Sequence, residues 1–322
     1  VGDSLSESSG NAEKEETSEL DHPLSSVAPV NLRFKIIIAF ITLYLVWGST
    51  YLAIRVGVHD LPPALFAGAR FVISGLALGL YAHLRGEALP RSLAAWKVTV
   101  IMGIFLLVGG NGLVVWGEQW VPSNQAALIV ATTALWLAGL GTLGPQGQLL
   151  TRVTLLGLVA GFAGVALLMF PNSEKFSFDH LGGQLGILLA AFLWSSGSIY
   201  GKRRPSGTPP MMSAALQMLT GGVVLVAIGL ATGEVTHWQW SLEGAGALSY
   251  LIVFGTLGFV AFTWLLHTVT PARLGTYAYV NPAVAVALGW WLLGETLTNT
   301  QILGMTIILI GVILVTASSS RG

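Results

Sequence analysis

Residues 45–55, LVWGSTYLAIR, decide the reading of this chain, because residues 193–203, LWSSGSIYGKR, repeat their pattern. With a shift of 147 positions, Trp47 falls on Trp194, Ser49 on Ser196 and Arg55 on Lys202. The register holds into the next stretch, where Pro62-Pro63 falls on Pro209-Pro210 and Arg70 on Gln217. Further on it slips by one or two residues, which brings Gly109 near Gly258, Val121-Pro122 opposite Thr270-Pro271 and Ala134 opposite Pro282. Composition makes apolar helices resemble one another, but it does not place a tryptophan, a proline pair and a basic residue in step. The chain reads as a duplication.

Of its 322 residues, 53% are apolar and 9% charged, whereas roughly a quarter of an ordinary soluble domain is charged. That describes a polytopic membrane protein. Net charge is zero, so no bulk field favours nucleic acid. The chain has no cysteine, which excludes disulfides, thiolate metal sites and cysteine nucleophiles. Its 40 glycines suit helices that approach closely in a membrane.

Residues 1–33 hold seven acids against Lys14 and Arg33 and are expected to form a disordered acidic tail. They have the composition of neither a transit nor a signal peptide. Ten apolar segments follow, at 36–56, 63–83, 97–117, 122–142, 153–170, 183–201, 210–231, 246–267, 272–293 and 300–317. Most approach the roughly 20 residues that cross a bilayer as a helix. The expected units are two five-helix repeats, 36–170 and 183–317, in an all-α integral membrane protein.

Basic residues are retained on the cytoplasmic side. With the N-terminus inside, eleven lysines and arginines flank the inner ends of the segments and two, Arg55 and Lys175, the outer ends. Both termini are therefore expected in the cytoplasm. Five helices per copy is an odd number, so the second copy enters from the opposite side and the repeats are inverted, a construction that lets secondary transporters open a midplane site to either side.

Ionisable groups inside hydrocarbon are costly and informative. All fifteen acids lie in the tail, in loops or at helix ends, which leaves no buried carboxylate to relay protons. Arg70 is the exception among the cations. It lies about 10 Å into its helix at 1.5 Å per residue. There it either bonds helix carbonyls or snorkels outward, or it offers a fork to a carboxylate or other anion. Arg55 and Glu118, at outer helix ends, either pair or stand as independent interfacial charges.

Other candidates are aromatic or small and polar. Trp47, Ser49 and Tyr51 in the first helix and Trp194 and Ser198 in the sixth form faces that inverted copies would turn toward a shared cavity; ordinary helix packing is the plainer reading. In the ninth, Tyr277 and Asn281 flank a break expected at Pro282, which removes one backbone hydrogen bond. Ala134 stands there in the first copy, so the break is expected to be asymmetric. Asn111, Thr132 and Trp136 complete the substrate-binding set. The six histidines have no partner at metal-ligand spacing and there is no phosphate-binding Walker loop, so neither metal, cofactor nor enzyme activity is expected.

WGSTYLAIR, LPPALFAGARFVISGLAL, WGEQWVPSNQAALIVATTALW, SIYGKR and YAYVNPAVAVALGWWLLGETL resemble the EamA-type members of the drug/metabolite transporter superfamily, and most of all a branch of bacterial inner-membrane exporters. The match runs over nearly all of 36–317. The resemblance implies ten helices in two inverted repeats around a central cavity, and efflux of small metabolites, amino-acid-like compounds or drugs. Ala134 and the stretch 144–148, GPQGQ, depart from the family's usual proline and Gly-Glu pair; Asn281-Pro282 and Gly294-Glu295 keep them. The expectation is an inner-membrane exporter, monomeric or homodimeric, whose partners are a small-molecule substrate and the lipid bilayer, with no nucleic acid. An importer or exchanger, a channel or a sensor of the same fold is the alternative.

Overall fold

The structure is a computed structural model that describes residues 28–121, 123–145, 147–169, 178–293 and 298–319; the side chains of 28–30, 51, 52, 55, 123, 124, 289, 292, 293 and 319 lie outside the description. Among the described residues every regular element is helical. α1 is Ala28–Asp60, α2 Pro63–Leu84, α3 Leu93–Gly103, α4 Leu113–Gly117, α5 Ser123–Ala131, α6 Thr133–Gly141 and α7 Arg152–Met169. In the second half α8 is Leu181–Arg203, α9 Pro210–Ala231, α10 Leu242–Thr268, α11 Pro271–Gly275, α12 Tyr277–Leu293 and α13 Asn299–Ser319. A π-helical stretch, Ile104–Gly112, joins α3 to α4. The stretch read as a tail mostly falls outside the described residues, and its last part already belongs to α1.

Eight of these helical stretches are long and apolar enough to cross a membrane, and Gln125–Gly141 forms a shorter apolar one. Large apolar side chains face outward: Leu76 is 59% exposed, Leu80 62% and Ile313 64%. Such a surface suits hydrocarbon and not water.

The halves pack helix against equivalent helix. α2 lies along α9 and α7 along α13, while α1 packs on α10 and the α3–α4 rod on α8. Exchanging the two halves maps each of these pairs onto itself or onto another of them. Small residues make the closest seams. A Cβ on Gly164 would stand 2.8 Å from the Gly304 carbonyl oxygen, and one on Gly311 would stand 2.7 Å from that of Gly157. Gly157 and Gly304, like Gly164 and Gly311, are 147 positions apart, so the register that slips in mid-repeat returns in the last helices. With 157 near 311 and 164 near 304, α7 and α13 run antiparallel.

The α2–α9 pair is locked at both ends by one device used twice. Pro63 and Pro210 start these helices without an N–H to satisfy. The next free amides are capped from the other half: Glu234 accepts from Leu65 N at 2.8 Å and from Ala64 N at 3.2 Å, and Glu87 accepts from Met212 N at 2.8 Å. Each glutamate follows a left-handed glycine, Gly86 at φ +81° and Gly233 at φ +75°, a conformation that costs glycine nothing. Gly86-Glu87 and Gly233-Glu234 are again 147 positions apart. Because Glu87, just past the end of α2, meets the start of α9, and Glu234 the reverse, these two helices are antiparallel as well.

Proline does not set the helix breaks. The fourth helix divides at Thr132 and the ninth at Thr276, six positions before Pro282, which lies inside α12. Both threonines bend the chain alike. Thr132 Oγ1 donates to Ile129 O at 2.6 Å, and Thr276 Oγ1 to Arg273 O at 2.7 Å. Their amides also turn to those carbonyls, at 3.1 and 3.3 Å. A hydroxyl bonded back to the carbonyl three residues earlier tightens the turn and interrupts the helix. The break expected in one half is therefore present in both.

Candidate functional site

Trp47 of α1 and Trp194 of α8 meet edge to face at the centre, 5.5 Å between ring centroids. Tyr277 of α12 stands edge-on to Trp47 at 5.2 Å, and Phe262 of α10 touches both indoles at 5.4 and 5.2 Å. Glycine makes room for them. A Cβ on Gly258 would lie 2.4 Å from Trp47 Nε1, and one on Gly110 would lie 2.7 Å from Trp194 Cε3. Each such aromatic pair contributes about 0.5–1.5 kcal/mol beyond the burial of its area.

Beside this cluster is a cavity of about 130 Å³ lined from both halves, by Trp47, Arg70 and Asn111 of the first and by Trp194, Tyr277 and Asn281 of the second. Its size is close to the roughly 150 Å³ of an engineered cavity that binds benzene. Phe71, Leu107, Met218 and Phe259 supply apolar wall. The π-helical turn brings Asn111 to the lining, consistent with the frequent use of such turns at functional positions.

Arg70 is 5% exposed. Its Nη2 donates to Asn111 Oδ1 at 2.8 Å and its guanidinium lies 4.3 Å from the centre of the Phe71 ring. Burying a charge is costly unless its donors are used, yet Nε is buried without a protein partner. Two more atoms of the lining residues share that condition, Trp194 Nε1 and Asn281 Oδ1. A buried polar atom left unmatched costs about 1–3 kcal/mol.

The remaining sequence candidates lie elsewhere. Ser49 gives its proton to Val46 O at 2.8 Å and meets Tyr250 OH at 2.6 Å. Thr132 makes the helix break. Ser198 turns back onto Trp194 O at 2.7 Å, and Trp136 packs on Phe192 at 5.2 Å while 37% exposed. Pro282 is buried in α12 away from the lining. The side chains of Tyr51 and Arg55 and the pair Gly294-Glu295 lie outside the described residues. The lining also takes Thr50 and Thr133, polar neighbours of the sequence candidates Ser49 and Thr132, and the structure adds Glu118, Ser74 and Thr256. Repeat register gives no signal for Ser74 and Thr256; only the packing of the helices selects them.

A second hollow of about 250 Å³ lies where α7 and α11 begin, lined by Thr151, Thr154, Thr270 and Ser318 among others. No lining side chain there is charged. Its hydroxyls largely serve one another, Thr151 to Ser318 at 2.5 Å and Thr154 to Ser318 at 3.0 Å.

The EamA-like transporter family model matches residues 34–170 and again 181–317. The chain is 39% identical over 282 residues to the "Uncharacterized inner membrane transporter YedA" of Escherichia coli K12, covering 86% of this chain and 89% of that one. It is 26% identical over 275 residues to the "Probable amino-acid metabolite efflux pump" of Salmonella typhimurium, covering 83% and 89%. A solved crystal structure at 22% identity superposes with a TM-score of 0.77 over 89% of this chain and 98% of that one, which shows a shared fold.

Proposed function

The chain belongs to the EamA-like transporter family, and on that premise we propose that it is a secondary transporter of the inner membrane, exporting small organic metabolites, amino-acid-like compounds or drugs by alternating access. In this reading two five-helix repeats, ten spans in all, are inverted with respect to each other, and both termini face the cytoplasm. The observation that carries it is the central cavity, which takes equivalent residues, Trp47 and Trp194, from opposite halves. The antiparallel packing of α2 on α9 and of α7 on α13 supports inversion, because helices in equivalent places then point opposite ways. The efflux activity in the name of the Salmonella relative favours export over import.

Alternating access implies exchange. Proteoliposomes loaded with unlabelled solute should take up labelled solute faster than empty ones, whereas large currents without such trans-stimulation would replace the carrier with a pore. With no native cysteine, single cysteines at Pro90 and Trp240 report sidedness without background. An impermeant maleimide should reach them from opposite faces; labelling of both from one face removes the inverted arrangement.

A further inference from the structure

The central cavity extends from the tryptophan pair in one direction only. α1 lines it from Trp47 onward as far as Ile54, and α8 lines it up to Trp194 but not beyond. Both charged groups of the lining, Arg70 and Glu118, belong to that side. Glu118 caps the end of α4, where a Cβ on Gly117 would stand 3.0 Å from Gly183 O at the start of α8. On the other side of the tryptophans the bundle is shut, and Leu43, Leu137, Leu265 and Leu266 are fully buried there.

Polar bonds tie this shut end together. Lys202 Nζ donates to Leu266 O and to Val269 O, both at 2.7 Å, where α10 ends and its last carbonyls lack amide partners. A cation suits a helix C-terminus. The neighbouring Arg203 donates through Nη2 to Leu140 O at 2.8 Å and to Leu143 O, so the last two residues of α8 hold the ends of α10 and α6. Tyr44 OH lies 2.9 Å from Thr276 Oγ1, whose own proton goes to Arg273 O, and is therefore the donor. Ala191 stands at the register equivalent of Tyr44 and cannot make that bond.

We propose that Lys202 is the latch of a gate: its two carbonyl bonds hold α8 against α10 and keep the central cavity shut at this end, and their release opens it. The proposal rests on the alternating-access reading, in whose orientation this end is cytoplasmic. Both acceptors are neutral, and an ammonium is strongly hydrated, so water that enters on opening replaces the two bonds. A lysine held this way is exchangeable where a buried ion pair would be stiff.

The chain has no cysteine, and Gly255 lines the cavity with nothing within 4 Å of an added Cβ, so Gly255→Cys makes the reporter. In membrane vesicles of either orientation an impermeant maleimide should label it chiefly from the outer face. Adding Lys202→Met, which keeps the stem and loses the ammonium, should raise labelling from the cytoplasmic face by roughly tenfold or more, the scale of a charged hydrogen bond, and lower it from the outer face. Lys202→Arg should restore the original pattern, and Tyr44→Phe should shift it in the same direction as Lys202→Met. Unchanged cytoplasmic labelling in Lys202→Met overturns the latch, and so does a rise from both faces, which marks loosened packing instead of opening. With trans-stimulated exchange intact in the cysteine-free protein, either result overturns this proposal alone. A reporter reached equally from both faces without Lys202→Met, together with currents and no exchange, overturns the carrier reading itself.

Discussion

The Trp47 and Trp194 indoles stand at 77° to each other with their centroids 5.5 Å apart, and each lies against a glycine of the opposite half, Gly258 or Gly110. Gly258→Ala puts a methyl group 2.4 Å from Trp47 Nε1, and the stacked Phe262, fully buried, blocks retreat on that side. The substitution should cost about 1–3 kcal/mol, the range of overpacked cores, and should slow counterflow because the indole is driven toward the cavity. Gly139, whose Cβ would meet nothing within 4 Å, is the control; Gly139→Ala should leave both the melting midpoint and transport intact. A Gly258→Ala protein indistinguishable from wild type would mean that the two indoles do not meet as described.

The reciprocal caps predict matched energetics. Glu87→Gln and Glu234→Gln each weaken a carboxylate bond to a helix N-terminus, a change of about 1 kcal/mol. The sites are at opposite ends of the α2–α9 pair, so the double variant should lose the sum of the two. Thermal unfolding of the purified variants reads this directly. A large loss in one and none in the other would break the equivalence of the two ends.

Asp60, beyond the apolar stretch of α1, accepts from Ser241 Oγ at 2.5 Å and lies 2.6 Å from His59 Nδ1. The Ser241 bond first, and then His59, hold its carboxyl below the usual aspartate value. A group with a depressed folded value stabilises above its unfolded value, about 3.9, and loses that contribution as pH falls through the folded value. Wild type should therefore lose more thermal stability than Asp60→Asn between about pH 6 and about pH 3. Equal acid sensitivity in the two proteins would remove Asp60 from the loop contact that joins α1 to α10.

Much of the cavity lining is legible in the sequence for one physical reason: groups that are costly in hydrocarbon, or too bulky to repeat by chance, stand out against an apolar background. Arg70, Asn111, Asn281 and the paired tryptophans are of this kind. Trp136 and Ser198 are equally conspicuous but are not among the residues lining the central cavity, because helical spacing gives a face but not the neighbour that the face meets. One break is expected, at Pro282, because proline's effect on a helix is obligatory; threonine's is optional and depends on which carbonyl its hydroxyl chooses. The Gly86-Glu87 and Gly233-Glu234 pairs keep the 147-residue register and were readable in principle. What hid them is that a glycine and a glutamate in a polar loop look like ordinary turn chemistry until the helix start that they serve is known.

The Pro-Pro start and the Gly-Glu cap are carried together by each half, but each is completed only by the other. One half on its own thus holds both parts of a lock that fits an antiparallel copy of itself. Severed between α7 and α8, the two pieces should find each other again in a shared bilayer.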